Sequence, residues 1–451
     1  MTLDRRNVLS AGIAAGVTIG AAAGPRPAAA HSPARGDAYG VQLAHGSDAD
    51  QAPALQAAID AAATQGAPLR LPPGRFRCGP LQLRAGTRLI GADSATTLAF
   101  AGGGSFITAE SADNILLDGL VLDGGDQPLD GDVADGLVAL RKVRRLRITG
   151  LSIVRSALNG ISLTACAGSV SDCSISGAMQ AAIHSVDSAG VDITHNDIAD
   201  CSNAGIRIWR SEPGEDGSTV CGNRIARIRA DAGGTGENGN GVNVFRAGGV
   251  LVSANRITDC AYTAVRGNAA SDIQIIGNSC ARLGEVAIYA EFGFQGALIA
   301  NNLIDTAATG ISVTNFNDGG RLAVVQGNLV RNLFRREHES EDKRGHGITV
   351  EADSALSGNV VENAPTAGIV IGWGPFMRDV VATGNLVRAS RVGILVSSDA
   401  DAGACLLANN LISRASEGAI RAMDGSGAPV GPDLAPAGAG GPISATGNLA
   451  V

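Results

Sequence analysis

From about residue 137 to its C-terminus the chain repeats a short pattern, a Gly-ended turn followed by a β-branched residue and alternating apolar positions. Aligning the openings gives IHSVD from Ile183, IRIWR from Ile206, VNVFR from Val242, VRGNA from Val265, IYAEF from Ile288, ISVTN from Ile311, ITVEA from Ile348 and IVIGW from Ile369. A second register follows roughly thirteen residues later. It places Asn196, Asn223, Asn255, Asn278, Asn302, Asn328, Asn359, Asn385 and Asn410 in equivalent positions. A period of about 22 residues is too short for helical-pair repeats and lacks a leucine-rich signature. Three short strands per turn fit it, so the expected fold is all-β, a right-handed parallel β-helix.

Composition agrees with stacked coils. Of 451 residues 62 are Gly, only two are Lys, and 3% are aromatic, which speaks for many turns and small side chains. About a dozen coils at the ~4.8 Å strand spacing make a rod on the order of 60 Å long with one continuous apolar interior.

Residues 1–30 read differently. Asp4, Arg5, Arg6, Asn7, Val8 and Leu9 precede an Ala/Gly-rich apolar run that ends at Ala28, Ala29 and Ala30, the pattern of a cleaved twin-arginine export signal rather than a permanent membrane anchor. The translocase is then a transient partner, and the expected location is the periplasm or the exterior. Residues 31–46 form a leader and 47–451 the β-helix with its cap. The formal charge is −8, and loss of the signal would make it more negative, which argues against nucleic acid as a partner. The eight Cys show no Cys-x-x-Cys spacing and read as buried free thiols.

Residues 47–65 form an amphipathic pattern with Leu55, Ile59 and Ala62 on one face, Pro53 in the first turn and Gly66 as the stop. Such a helix would cap the open end of a solenoid, whose first coil otherwise presents bare core. The segment 69–92 then alternates apolar and polar residues as the first strands. Helix, LPPG at Leu71 to Gly74, and short strands ending in LIGA resemble the opening of the pectate-lyase-like β-helix superfamily. With the twin-arginine signal and the stretches VFRAGG at Val244, AVRGN at Ala264, AEFGFQGALIANN at Ala290 and VTNFNDGGRLAVVQGN at Val313, the whole chain resembles a family of twin-arginine-translocated repeat proteins. That resemblance implies export and a β-helix but supplies no reaction. The superfamily is mostly polysaccharide lyases and glycoside hydrolases, with some epimerases and phage tailspikes, and fold does not choose among them.

Chemistry can be sought on the outward positions of the opening strand, its second and fourth residues. The second-position column carries His184, Arg207, Asn243, Arg266 and Tyr289, and the fourth carries Trp209, Phe245, Asn268, Glu291 and Glu351. Fifth residues add Arg210, Arg246, Phe292, Asn315 and Trp373. Both Trp residues thus fall on one face of a chain poor in aromatics. Aromatic rings pack on sugar rings, Arg forks pair with carboxylates or sulfates, and carboxylates do acid/base work.

Insertions at 123–136, 228–241 and 331–347 share one corner of the coil and would wall a groove along this face, with 211–219 at its other edge. Glu291 and Glu351, two coils apart, have backbones roughly 9.6 Å apart, near the separation of an inverting glycosidase pair. For a lyase, Arg266, His184 or Tyr289 would act at the uronate C5 proton, with Arg207 and Arg246 neutralising the carboxylate. The acidic loop with Asp123, Asp126, Asp130, Asp132 and Asp135 could hold Ca²⁺, although Gly/Asp-rich turns are common; no other cofactor or metal is expected. His338 and His346 read as a solvated loop. The leading expectation is therefore an exported β-helix protein that binds and cleaves an acidic polysaccharide, as a lyase or glycoside hydrolase. The alternative is a non-catalytic carbohydrate-binding or cell-envelope scaffold protein.

Overall fold

Ile183, Ile206, Val242, Val265, Ile288, Ile311, Ile348, Ile369, Ile394 and Ile420 stand directly above one another in the computed structural model, each fully buried. Each fully buried aliphatic side chain of this kind contributes about 1.5–3 kcal/mol. Because side chains alternate across a strand, the neighbours of these residues point outward and the same register sets both core and surface. The structure describes residues 40–130, 135–338, 344–436 and 441–451, so the expected export signal lies outside the described residues, as do Asp132 and most of the leader.

The result is the expected right-handed parallel β-solenoid, with about 14 turns. The first strand of each coil joins a sheet of 15 strands, running from Leu69–Arg70 to Ile443–Thr446. The second and third strands of the coils stack into two further ladders. The second runs through Gly74–Cys78, Ser152–Val154 and Leu303–Asp305; the third runs through Gly136–Arg141, Ala181–Val186, Asn240–Gly248 and His346–Val350. The third ladder is the face on which the sequence gathers its candidate residues.

The Asn ladder lies at the corner between first and second strands. Asn278 shows its bonding. Its amide donates to the Val252 carbonyl and to Asn302 Oδ1, each at 3.0 Å, while its own Oδ1 accepts the Asn255 backbone N–H and amide. The pattern extends one coil further than the sequence pattern indicated, to Asn448, which accepts from Asn410. The residue before each Asn turns the chain through the left-handed region, as at Gly277 with φ 68° and Gly222 with φ 70°. Glycine takes that conformation without a Cβ clash, hence the recurring Gly-Asn pair.

The capping helix runs Ala52–Gln65 and buries Leu55 and Ile59 in the common core. It starts later than expected because Asp50 instead turns the chain, its Oδ1 accepting from the N–H groups of Ala52 and Gly79. Gly66, with φ 63°, ends it. At the other end, the strand Pro429–Asp433 pairs antiparallel with Ile420–Met423. Asp433 fixes it by accepting the Ala419 and Ile420 N–H groups, and so the edge of the last third strand is covered. All eight cysteines are free, seven of them buried, and burial pushes the Cys280 thiol up to about 12. Among the described residues no helix is long and apolar enough to cross a membrane.

Candidate functional site

Strand pairing aligns Trp209 with Phe245, Phe245 with Asn268 and Asn268 with Glu291. The pairs Ala290–Val313 and Val313–Val350 carry the same column on to Thr314 and Glu351. This column, about 24 Å long at the ~4.8 Å strand spacing, divides into an aromatic shelf, a buried ion pair and a polar cavity.

The shelf is built from three coils. His184 meets Trp209 edge-on with ring centroids 5.1 Å apart, and Trp209 meets Phe245 in the same way at 5.8 Å. Trp209 Nε1 donates to Asn243 Oδ1 at 2.7 Å, which fixes the indole. Arg207 lies over the Trp209 ring and Arg246 over Phe245, at 5.0 and 4.8 Å from the centroids. Beside the shelf a cavity of about 370 Å³ is lined by Trp209, Phe245, Asn243, Asn268 and Glu237. Burial, helped by the Arg207 charge, pulls the His184 imidazole down to about 4. A base that weak is poorly matched to proton abstraction near neutrality.

The insert 229–239 lies on the face as expected, but it covers residues expected to be solvent-facing. Arg207 donates to Asn238 Oδ1 at 2.7 Å, Asn243 to the Gly236 carbonyl at 2.8 Å and Arg266 to the Thr235 carbonyl at 2.6 Å. Consequently Arg207 and Arg266 are each only 6% exposed and Asn243 2%. These long polar side chains hold the loop, and those bonds meet the polar atoms they bury except Arg207 Nε, which has no hydrogen-bond partner among the described residues.

Arg266 also closes on Glu291, with Nε to Oε1 at 2.6 Å and Nη2 to Oε2 at 2.9 Å, while Asn268 donates to the same Oε1 at 2.9 Å. An arginine so engaged is no base, and Glu291, 2% exposed, has little contact with solvent. Burial raises the Glu291 carboxyl and the Arg266 charge opposes that rise. The two-carboxylate arrangement expected for Glu291 and Glu351 is thus replaced by one committed carboxylate and one open one.

Glu351 is the open one. It lines a cavity of about 290 Å³ with Tyr289, Ser312, Asn315, Arg344, His346 and Trp373. Burial raises its carboxyl to about 7 against the backbone N–H groups of Phe316 and Asn315; that of Phe316 donates to Oε2 at 2.7 Å. A carboxyl at that value both gives and takes a proton near neutrality. Burial raises the Tyr289 phenol as well, keeping it protonated. Arg266 lies 4.9 Å from the Tyr289 ring centroid.

The other expected residues fall at the edges. Arg210 reaches back toward the Ser188 carbonyl at 3.4 Å, and Phe292 is 40% exposed, its N–H donating to Asn315 Oδ1. His346, expected in a solvated loop, opens the strand His346–Val350 opposite Thr309 and faces the cavity. Recognising it required extending the repeat by two residues before Ile348. Glu285 was also missed. It is buried beneath Arg266, Arg336 and Arg344, at 3.6, 3.4 and 3.3 Å, and ties the insert 331–347 to the scaffold. In the acidic loop Asp123 is taken up by Arg75 and Arg155 at 2.9 and 2.6 Å. Among the described residues no cluster of three or more His, Cys, Asp or Glu is arranged to hold a metal.

A larger concavity of about 680 Å³ lies on the first sheet, between apolar side chains such as Leu298 and Val324. Its wall carries Asp353, held well below the ordinary carboxylate range by the Arg378 and Arg321 guanidinium groups, so chemistry rather than size marks the third face as the candidate site.

The sequence profile described as "right handed beta helix region" matches residues 159–319 and 214–387. Among curated proteins none matches the chain significantly. Among solved structures it is similar to a PL6 alginate lyase in complex with a trisaccharide, at 14% identity and TM-score 0.52, covering 90% of this chain and 94% of that one. It is similar to gene product 12 of bacteriophage phi29 at 16% identity and TM-score 0.50, covering 87% of this chain and 56% of the phage protein, so it spans little more than half of that chain's length. The catalytic unit of an α-1,3-glucanase from Streptomyces thermodiastaticus follows at 17% identity, TM-score 0.48, with 91% and 67% covered. At these identities the likeness is one of fold.

Proposed function

The chain belongs to the right-handed β-helix family, and on that premise we propose that it binds and cleaves an acidic polysaccharide lying along the third face. The observation that carries this reading is the registered column itself, which places an aromatic shelf at Trp209 and Phe245 and the Glu351 cavity on one line. An extended glycan can stack on the rings while one of its residues enters the cavity. The PL6 alginate lyase has the same fold and carries a trisaccharide, which supports a carbohydrate ligand.

Of the two bond-breaking reactions, β-elimination is favoured. Hydrolysis of a glycosidic bond uses two carboxyl groups, and Glu291 is committed to Arg266. Elimination needs one base. Ionised Glu351 takes the proton α to the uronate carboxylate, the electron pair forms the C4–C5 double bond, and the C4–O bond breaks. The leaving oxygen receives a proton from the Tyr289 hydroxyl, which is restored from solvent. Arg344, on the cavity wall, supplies positive charge toward the sugar carboxylate.

The test is incubation with a panel of acidic and neutral polysaccharides, following new reducing ends together with ultraviolet absorbance of an unsaturated product. Both signals are expected with a uronate polymer and neither with Glu351→Gln. Reducing ends alone mean hydrolysis. Binding without either signal establishes a carbohydrate-binding scaffold protein instead, and turnover that survives Glu351→Gln removes this site.

Export is part of the proposal. Arg5 and Arg6 lead the segment 1–30, and the periplasm or exterior is where such a polymer would be met. Replacing both arginines by Lys should leave the precursor unprocessed in the cytosol; processing that continues would count against the twin-arginine route.

A further inference from the structure

Along the outward positions of the first sheet, paired strands align Arg147, Ser169, Asp192 and Thr219 in the N-terminal half. The column continues through Leu251 and Gln274, and beyond Gln274 it becomes Leu298, Val324, Ala355, Val381 and Leu406 before ending at Ser444. The column just beyond the Asn corner, on the second strands, changes at the same coil. Asp197, Arg224, Arg256 and Ser279 give way to Leu303, Leu329, Val360, Leu386, Leu411 and Leu449.

Seven of the twelve exposed large apolar side chains among the described residues lie on this patch: these columns supply Leu303, Val324, Val381, Leu406, Leu411 and Leu449, and Leu322 borders them. Exposed positions are indifferent to core packing, so two neighbouring columns turning apolar together call for a covering partner.

We propose that this half-face is where a second copy of the chain docks. Three observations select that occupant. The face repeats at one strand spacing, so a second copy related by a two-fold axis presents the same pitch to it. Its border is mixed in sign: Asp353 is held by Arg321 and Arg378 at 2.6 Å, with Asp272 and Asp379 beside them. A two-fold contact can match such a border with itself, whereas an anionic membrane surface attracts an excess of Lys and Arg. The extent also fits. Six coils at ~4.8 Å and two columns span on the order of 500 Å² per copy, or roughly 1,000 Å² in all, the lower end of specific interfaces. The contact is therefore a weak, concentration-dependent dimer. It leaves the third face of both copies open.

Sedimentation velocity across a hundredfold concentration series tests this. The wild-type chain should shift from monomer to dimer, while the double variants Val324→Lys/Val381→Lys and Leu406→Glu/Leu411→Glu stay monomeric throughout. All four positions are exposed, and an unchanged circular-dichroism melt shows that each variant is folded. A wild-type protein that stays monomeric at every concentration overturns the proposal. So does a dimer that persists in both folded variants, or a monomer that instead floats with phosphatidylcholine vesicles and loses this in the variants.

Discussion

Arg266 meets Glu291 across neighbouring coils through two parallel hydrogen bonds of 2.6 and 2.9 Å, with side chains 7% and 3% exposed. Planar two-point geometry of this kind is what makes a buried pair tolerable, since each charge has lost its water. Removing one partner strands the other. Glu291→Gln or Arg266→Met should each cost about 3–5 kcal/mol, seen as a lower midpoint in urea. Arg266→Met/Glu291→Leu should cost less than the sum of the singles. Additive losses would mean the pair is not coupled.

Glu351 responds oppositely. Burial raises its carboxyl to about 7 from an ordinary 4.5, so folding favours the protonated form. The stabilisation is complete below about pH 4.5 and lost as pH rises through 7, when a charge must be held in the cavity. Glu351→Gln should therefore gain on the wild type as pH rises, by up to about 2–3 kcal/mol above pH 7, with no gain at pH 4. Urea unfolding at both pH values checks this independently of any substrate. A constant difference would place the carboxyl in ordinary solvent.

Trp209→Ala should weaken oligosaccharide binding about threefold to tenfold, the loss of roughly 1 kcal/mol of ring stacking, as read by calorimetry on the Glu351→Gln background. An unchanged affinity would show that the glycan does not cross the shelf. Phe245→Leu, which keeps apolar bulk and loses the ring face, should fall between the two.

Asn278→Ala would leave the Asn255 N–H and amide without their shared acceptor and the Val252 carbonyl without its amide donor. The cost should be on the order of 3 kcal/mol. Asn448→Ala, at the partly exposed end of the row, should cost less than half as much. Equal thermal shifts would contradict a continuous buried ladder.

The coil positions were legible because strand alternation has a period of two and nothing in the core competes with it. Ile183 through Ile369 fall inward as the pattern requires. What alternation could not reveal is what lies on top of an outward position. Arg207, Asn243 and Arg266 point outward yet are buried, because the loop 229–239 closes over them through carbonyls and an Asn side chain. Glu291 and Glu351 are equivalent in sequence. They are told apart by what sits one coil away, Arg266 beneath one and the Phe316 N–H against the other. His346 escaped because its strand begins two residues before the repeated motif.

The amide row has a consequence for how such a chain can change. Successive Asn residues are as few as 23 apart, at 255 and 278, and as many as 38, at 410 and 448, yet the amides are always 2.9–3.0 Å from the next Oδ1. Each coil is re-indexed at that corner whatever length of chain precedes it. Extra residues inserted elsewhere in a coil therefore do not dephase the coils that follow. The rod is a chassis on which the loops over the third face can be lengthened, exchanged or grafted one at a time, each change confined to its own rung.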